Sequence, residues 1–324
     1  MVYPGRVLAS SSLLIFAAQP LRAQCTGDAQ RAFRAREFEQ ASAAARVQVD
    51  HNPRDAAAVY CMGRINEAQS RSGEAVDWFE KAVRLDEQKA EYHLWLGNAL
   101  GEEAQKANKF RQPFLARRVK TEFERAVELD STSLDARHGL IQFYSVAPGI
   151  MGGSMEKARA QVAVIGRLNP MRGHVETAQL LEREKDVAGA EREYAAGVAA
   201  APDSVYGYYA LGSYYQRQKR WTEAFTTYEK LLAMKPNDVV ARVQIGRAAA
   251  VSGQNLEAGE QQLTSVLTAP PDEFPPISAS SVHYRLGNIY ERQGKAERAR
   301  AEYTEALRLN PKNEDARKSL AGLK

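Results

Sequence analysis

The stretch 280–313 is echoed along most of the chain at matching internal spacing, and that periodicity limits the fold more than any other feature. Its first half carries His283, Leu286, Gly287 and Tyr290, and its second half Ala299, Tyr303, Ala306 and Pro311. Within each half the apolar residues recur at helical spacing, so each half reads as an amphipathic helix. The Gly and Ala are expected where the two helices cross, because only small side chains let backbones approach. The proline cannot continue the second helix and marks the boundary with the next unit. A single pair leaves one apolar face bare, so the units must stack. The chain of 324 residues is therefore expected to be all-α and an array rather than one rounded core.

Other copies keep the register. One starts at Val205 (Tyr208, Leu211, Gly212, Tyr215, Ala224, Tyr228, Pro236), one at Val239 (Ile245, Gly246, Ala258, Pro270) and one at Ala56 (Met62, Gly63, Ala75, Phe79, Ala82). Weaker copies hold Phe38, Ala41 and Ala45; Leu96, Gly97, Phe123 and Ala126; Gly139, Ala158 and Pro170; and Ala178, Leu181, Ala190 and Tyr194. The pattern resembles the tetratricopeptide repeat, a 34-residue helix–turn–helix unit, and the resemblance covers essentially the whole chain after the leader. It implies a right-handed α-solenoid of about eight helix pairs over 24–313, closed by a capping helix over 314–324 (EDARKSLAGLK).

The resemblance also implies a concave groove lined by the first helix of each pair. Carried onto this chain, the groove positions give Tyr60, Arg64, Asn98, Tyr206, Tyr209, Arg247, Tyr284 and Asn288, with Glu67, Ser213, Gln216 and Glu291 beside them. Tyr and Arg are residue types enriched at binding hot spots. The rival reading is that these tyrosines only pack against the adjacent helix, and the sequence leaves both open. Family members that grip the acidic tail of heat-shock chaperones use lysine at the fifth position. Tyr60, Leu94, Tyr209, Val243 and Tyr284 stand there instead, so that activity is not expected.

Residues 1–23 do not fit the repeat. Arg6 precedes the short apolar run Val7 to Ala18, then Pro20 and Ala23, which is the layout of a cleaved export signal; an uncleaved anchor is the alternative. The expected compartment is periplasmic or extracellular, and a Cys25–Cys61 disulfide is chemically permitted there. The net charge is +4, and loss of Arg6 and Arg22 lowers it by two. A nearly neutral chain is not expected to bind nucleic acid.

Catalytic parts are missing from the sequence. There is no His-Glu-x-x-His, Gly-x-Ser-x-Gly or Cys-x-x-Cys, so no cofactor, metal or enzymatic activity is expected. His93, His174 and His283 fall at the fourth repeat position, where the family places a packed tryptophan, and read as packing rather than ligation. His138 falls just before Gly139 and reads alike. The loop Gly149 to Ser154 lacks the lysine and strand of a phosphate cradle, and Ser154 reads as a helix cap.

One enlarged unit stands out. Lys106, Lys109, Arg111, Arg117, Arg118 and Lys120 fall in a single run without an acid, interleaved with Phe110, Phe114 and Leu115, and Pro113 opens the following helix. Such a run is either a solvated face or a contact for an acidic partner or an anionic membrane. The sequence as a whole reads as a non-catalytic scaffold that holds a protein segment in its groove, with this hairpin as a second contact. A carrier for an envelope polysaccharide or lipid is the alternative.

Overall fold

The computed structural model describes residues 25–35, 37–268 and 278–323. The expected leader and most of the linker after Pro270 lie outside the described residues. Among those described, every regular element is a helix. Eight pairs follow one another: α1 (Gly27–Arg34) with α2 (Phe38–His51), α3 (Ala56–Ala68) with α4 (Ser72–Leu85), α5 (Ala90–Lys106) with α6 (Gln112–Leu129), and α7 (Leu134–Val146) with α8 (Met155–Leu168). Then come α9 (Pro170–Arg183) with α10 (Val187–Ala200), α11 (Val205–Arg217) with α12 (Trp221–Met234), α13 (Val239–Ser252) with α14 (Leu256–Leu267), and α15 (Ala279–Arg292) with α16 (Ala296–Leu309). A final helix, α17 (Glu314–Gly322), packs on α16. First helices also touch first helices, α5 on α7, α9 on α11 and α13 on α15, which makes the array an α-solenoid.

The crossing inside each pair is a ring seated on a bare backbone. A Cβ added to Gly63 would lie 2.4 Å from the Phe79 ring, one on Gly212 2.5 Å from Tyr228, and one on Gly287 2.4 Å from Tyr303. Phe123 does this twice, facing Gly97 of its own unit and Gly139 of the next, where added Cβ atoms would lie 2.8 and 2.5 Å from its ring. The seventh unit departs from the expected register. Gly259, not Ala258, takes the small position, because α13 runs one residue longer than α11 (14 against 13). Ala249 packs against Gly259, and Leu263 replaces the ring opposite Gly246.

The fourth-position histidines are more than filler. Nδ1 of His93 donates to Glu122 at 2.7 Å, His174 to Glu193 at 2.8 Å and His283 to Glu302 at 2.7 Å. Each glutamate directly precedes the ring residue of its second helix (Phe123, Tyr194, Tyr303), so imidazole and ring fix the same helix from one side. Several turns within pairs hold a left-handed residue, non-glycine at Ser70 (φ 60°), Lys185 (64°), Lys219 (57°) and Asn255 (49°) and glycine at Gly152 (96°), Gly253 (77°) and Gly294 (72°). Ser154 caps α8 by accepting from the Lys157 N–H at 3.3 Å. Arg292 of α15 donates to the carbonyls of Ala250 (2.8 Å) and Val251 (3.0 Å), tying the eighth pair directly to α13. At the other end the chain is stapled covalently, Cys25 to Cys61, with Cα atoms 5.1 Å apart.

Candidate partner-binding groove

The first helices α3, α5, α7, α9, α11 and α13 share one continuous concave cavity of about 1190 Å³, running from Glu67 to Val251. That exceeds the volume of an ordinary small-molecule pocket, roughly 300–1,000 Å³, and its length follows from stacking one helix per unit.

The wall changes character along its length. At the α3–α5 end stand Glu67, Trp95, Asn98 and Glu102. The Arg64 guanidinium lies flat on Trp95, 3.4 Å from the ring centroid. Glu67 and Glu102 form no ion pair among the described residues; burial pushes both carboxyls up, Arg64 partly offsetting it for Glu67 and Lys106 for Glu102. In the middle, Arg172 covers the Tyr206 ring at 4.5 Å and lies 3.5 Å from both Asp135 and Glu176. Glu182 accepts from Arg217 and from the Tyr194 hydroxyl, each at 2.6 Å. At the α13 end, Arg247 has neither an ion pair nor a hydrogen bond from its guanidinium among the described residues. Burial, then the nearby Arg247 charge, pulls the Arg285 guanidinium below its ordinary value.

Several polar groups of this wall are buried without a hydrogen-bond partner among the described residues: Gln244 Oε1, Asn98 Nδ2 and Arg172 Nε. Gln244 is 4% exposed, and Gln216 Nε2 donates to its main-chain carbonyl at 3.2 Å. A buried polar group without a partner is costly, on the order of 1–3 kcal/mol.

Of the eight residues expected to line the groove, Asn98, Tyr206, Tyr209 and Arg247 do so. Tyr60 does not: it is fully buried, and its hydroxyl donates to Glu91 at 3.0 Å. Tyr209 meets the wall but is 5% exposed, and its hydroxyl donates to Asp238. Both tyrosines act between units, because a fifth-position tyrosine is long enough to reach the acid that opens the following pair. Arg64 is spent on Trp95. Tyr284 packs against Tyr303 at 6.0 Å, and Asn288 accepts from the Tyr303 hydroxyl at 2.8 Å, so α15 uses these two internally. Residues missed from sequence include Trp95, Gln142, Arg172, Gln179 and Gln244. One signal was available: wall glutamines Gln105, Gln142, Gln179 and Gln216 recur at equal 37-residue steps, and Gln142 donates to Gln179 at 3.3 Å.

The enlarged hairpin is built by lengthening both helices of the third pair, to 17 and 18 residues against 13 and 14 in the second. Its positive run is less uniform than the sequence implies. Lys106 lies 3.8 Å from Glu103, Arg118 2.5 Å from Glu80 and Lys120 3.5 Å from Glu124, all acids outside the run. Lys109, Arg111 and Arg117 form no ion pair among the described residues. Leu115 is buried, whereas Phe110 and Phe114 are 93% and 66% exposed.

No curated protein matches the sequence. Among solved structures, the chain is similar to a tetratricopeptide repeat protein from Parabacteroides merdae, at 12% identity and TM-score 0.49, covering 90% of this chain and 94% of that one. It is similar to a thermophilic tetratricopeptide protein of Thermus thermophilus, at 15% identity and TM-score 0.47, covering 57% and 94%. A third is a monomeric mutant of IFIT1 with Gppp-AAAA, at 15% identity and TM-score 0.51, covering 91% and 70%. The last of these, at that identity, speaks to the fold alone. Tetratricopeptide repeat profiles match residues 27–90, 175–239 and 280–313, together half of the chain. The chain belongs to the tetratricopeptide repeat family.

Proposed function

We propose that this protein is a scaffold that holds an extended segment of a protein partner in the groove between α3 and α13. Tetratricopeptide arrays serve as protein-interaction scaffolds in general; the groove gives the finer reading its support. The observation that carries it is the set of buried, unpartnered wall groups, Gln244 Oε1, Asn98 Nδ2 and Arg172 Nε. They comprise an acceptor and donors, which suits a main chain that offers N–H and C=O in alternation. Glu67 and Glu102, which form no ion pair among the described residues, favour a basic partner residue at the α3–α5 end, and Arg247 an acidic one at the α13 end. The hairpin at α5–α6 is a second contact outside the groove. The working compartment is proposed to lie beyond the cytoplasm; the leader-like N-terminus and the Cys25–Cys61 bridge both suit an oxidising environment.

A photo-crosslinking side chain at Ser213, which lines the groove, and at Arg300, exposed on α16, tests this in the native host. Crosslinks from Ser213 that map to one segment of one protein, and are lost in Arg247→Ala, are expected. Equal products from both positions, or a glycan or lipid as the sole Ser213 adduct, would overturn it.

A further inference from the structure

Two neighbouring turns of the array share an edge, and both break the rule that large apolar side chains are covered. The first joins α5 to α6 and exposes Phe110 and Phe114. The second joins α7 to α8 through a short 3₁₀ turn, Gly149–Met151, and exposes Val146 (62%) and Ile150 (96%). Both are connections from first to second helix in consecutive pairs, so they emerge on the same side. They are also in contact: the 3₁₀ turn packs on α6, and Gln112, Ala116 and Val119 of α6 share a cavity wall with Pro148 and Met151. Exposed large apolar side chains gathered on one side of a fold mark an interaction site.

The charges on this edge set the kind of partner. Lys109 and Arg111 flank Phe110, and Arg117 lies one helical turn beyond Phe114. These three are the cations of the run without an ion pair among the described residues, while Lys106, Arg118 and Lys120, further down the hairpin, are neutralised. The unpaired cations thus include the two that flank Phe110 and one that follows Phe114, beside the bare rings. An acidic protein groove would use the cations but leaves the phenyl rings without a purpose. An anionic bilayer uses both, since aromatic and aliphatic side chains enter the headgroup boundary while Lys and Arg meet phosphates. Among the described residues no helix is long and apolar enough to cross a membrane.

We propose that this edge, Phe110, Phe114, Val146 and Ile150 with Lys109, Arg111 and Arg117, docks the array on an anionic membrane surface. The inference rests on the hairpin being a contact surface and is independent of what the groove holds. Val146 belongs to both this edge and the concave wall, whereas Phe110, Phe114 and Ile150 lie outside that wall.

Co-sedimentation of the full chain with phosphatidylcholine vesicles, with and without phosphatidylglycerol, is the test. Binding is expected with phosphatidylglycerol and should fade as salt rises. The triple variant Lys109→Gln, Arg111→Gln, Arg117→Gln should weaken it on the order of a hundredfold, at about a factor of five per charge. The variant Phe110→Ser, Phe114→Ser, Ile150→Ser should weaken it at least roughly tenfold, because apolar insertion is lost. All six positions are exposed, and unchanged helical circular dichroism confirms folding. Arg247→Ala should bind vesicles like the parent, which separates this edge from the groove. Vesicle binding that survives the apolar variant, or that is absent while an acidic peptide binds the tip, overturns the proposal.

Discussion

Nδ1 of His138 on α7 stands 2.8 and 2.9 Å from the two oxygens of Glu176 on α9, a carboxylate with no solvent exposure. The pair spans consecutive units. Burial pushes the Glu176 carboxyl up, but His138 and Arg172 outweigh burial and hold it below the usual carboxylate range. His138→Ala should therefore destabilise the array by about 1–3 kcal/mol, less than a fully orphaned charge because Arg172 remains 3.5 Å away. Denaturant unfolding of the variant beside the parent measures this; an unchanged midpoint would sink it. Because the folded value is depressed, the stabilisation from Glu176 is present above the unfolded carboxylate range. It fades only as pH falls through the lower folded value.

His93 titrates with the opposite sign. Burial alone would lower its pKa, but the hydrogen bonds to Glu122 and to the Glu87 carbonyl outweigh burial and raise it. A raised folded value means that the stabilisation is full below the unfolded histidine range, near 6.5, and is lost as pH rises through the folded value. The midpoint difference between parent and His93→Gln should shrink between mildly acidic and alkaline buffer. A difference that stays constant over that range would contradict this.

The ring-on-backbone crossings give a paired test. Gly63→Ala places a methyl 2.4 Å from the Phe79 ring and should destabilise by about 1–3 kcal/mol. Gly101→Ala, mid-helix in α5 with open space around the new methyl, should stabilise by about 0.5–1 kcal/mol. Thermal melts of the two variants should move in opposite directions. Shifts of the same sign would show that the crossing is not what fixes glycine at position 63.

The Cys25–Cys61 bridge closes a loop across 36 residues. In the chain-entropy model this stabilises by about 3–4 kcal/mol. Units couple mainly to their neighbours, so reduction should raise hydrogen exchange in α1 to α3 and leave α11 to α17 unchanged. Exchange that rises evenly along the chain would refute that locality.

The architecture was legible in the sequence because its determinants are local. Gly287, Ala299 and Pro311 each state a requirement of their own helix pair, and the same statement recurs along the chain. What the sequence concealed depends on partners in other helices. Tyr60 and Tyr209 read as groove residues until Glu91 and Asp238, each belonging to the next unit, are seen to hold their hydroxyls. His93, His174 and His283 read as packing because the three glutamates lie on second helices, in sequence that otherwise looks like solvated surface. The positive hairpin looked uniform because Glu80 belongs to α4 and no linear window contains it. The groove residues Arg172 and Gln244 carried no positional signal at all. Their importance lies in what they lack, and an unmet hydrogen bond is visible only once every neighbour is in place.

Phe123 belongs to two units at once, its ring seated against both Gly97 and Gly139. Among the described residues Phe79, Tyr228 and Tyr303 each cover only the glycine of their own pair, so a cut between units leaves those crossings whole. The third and fourth pairs cannot be separated in that way, because a cut between them leaves a half-seated ring on one side and a bare glycine on the other. A chimera built from this chain should therefore place no boundary between the third and fourth pairs. Those two pairs also carry both exposed turns of the proposed membrane edge. Among the described residues, the ring shared by two glycines thus lies in the same two pairs as the most specialised stretch of surface.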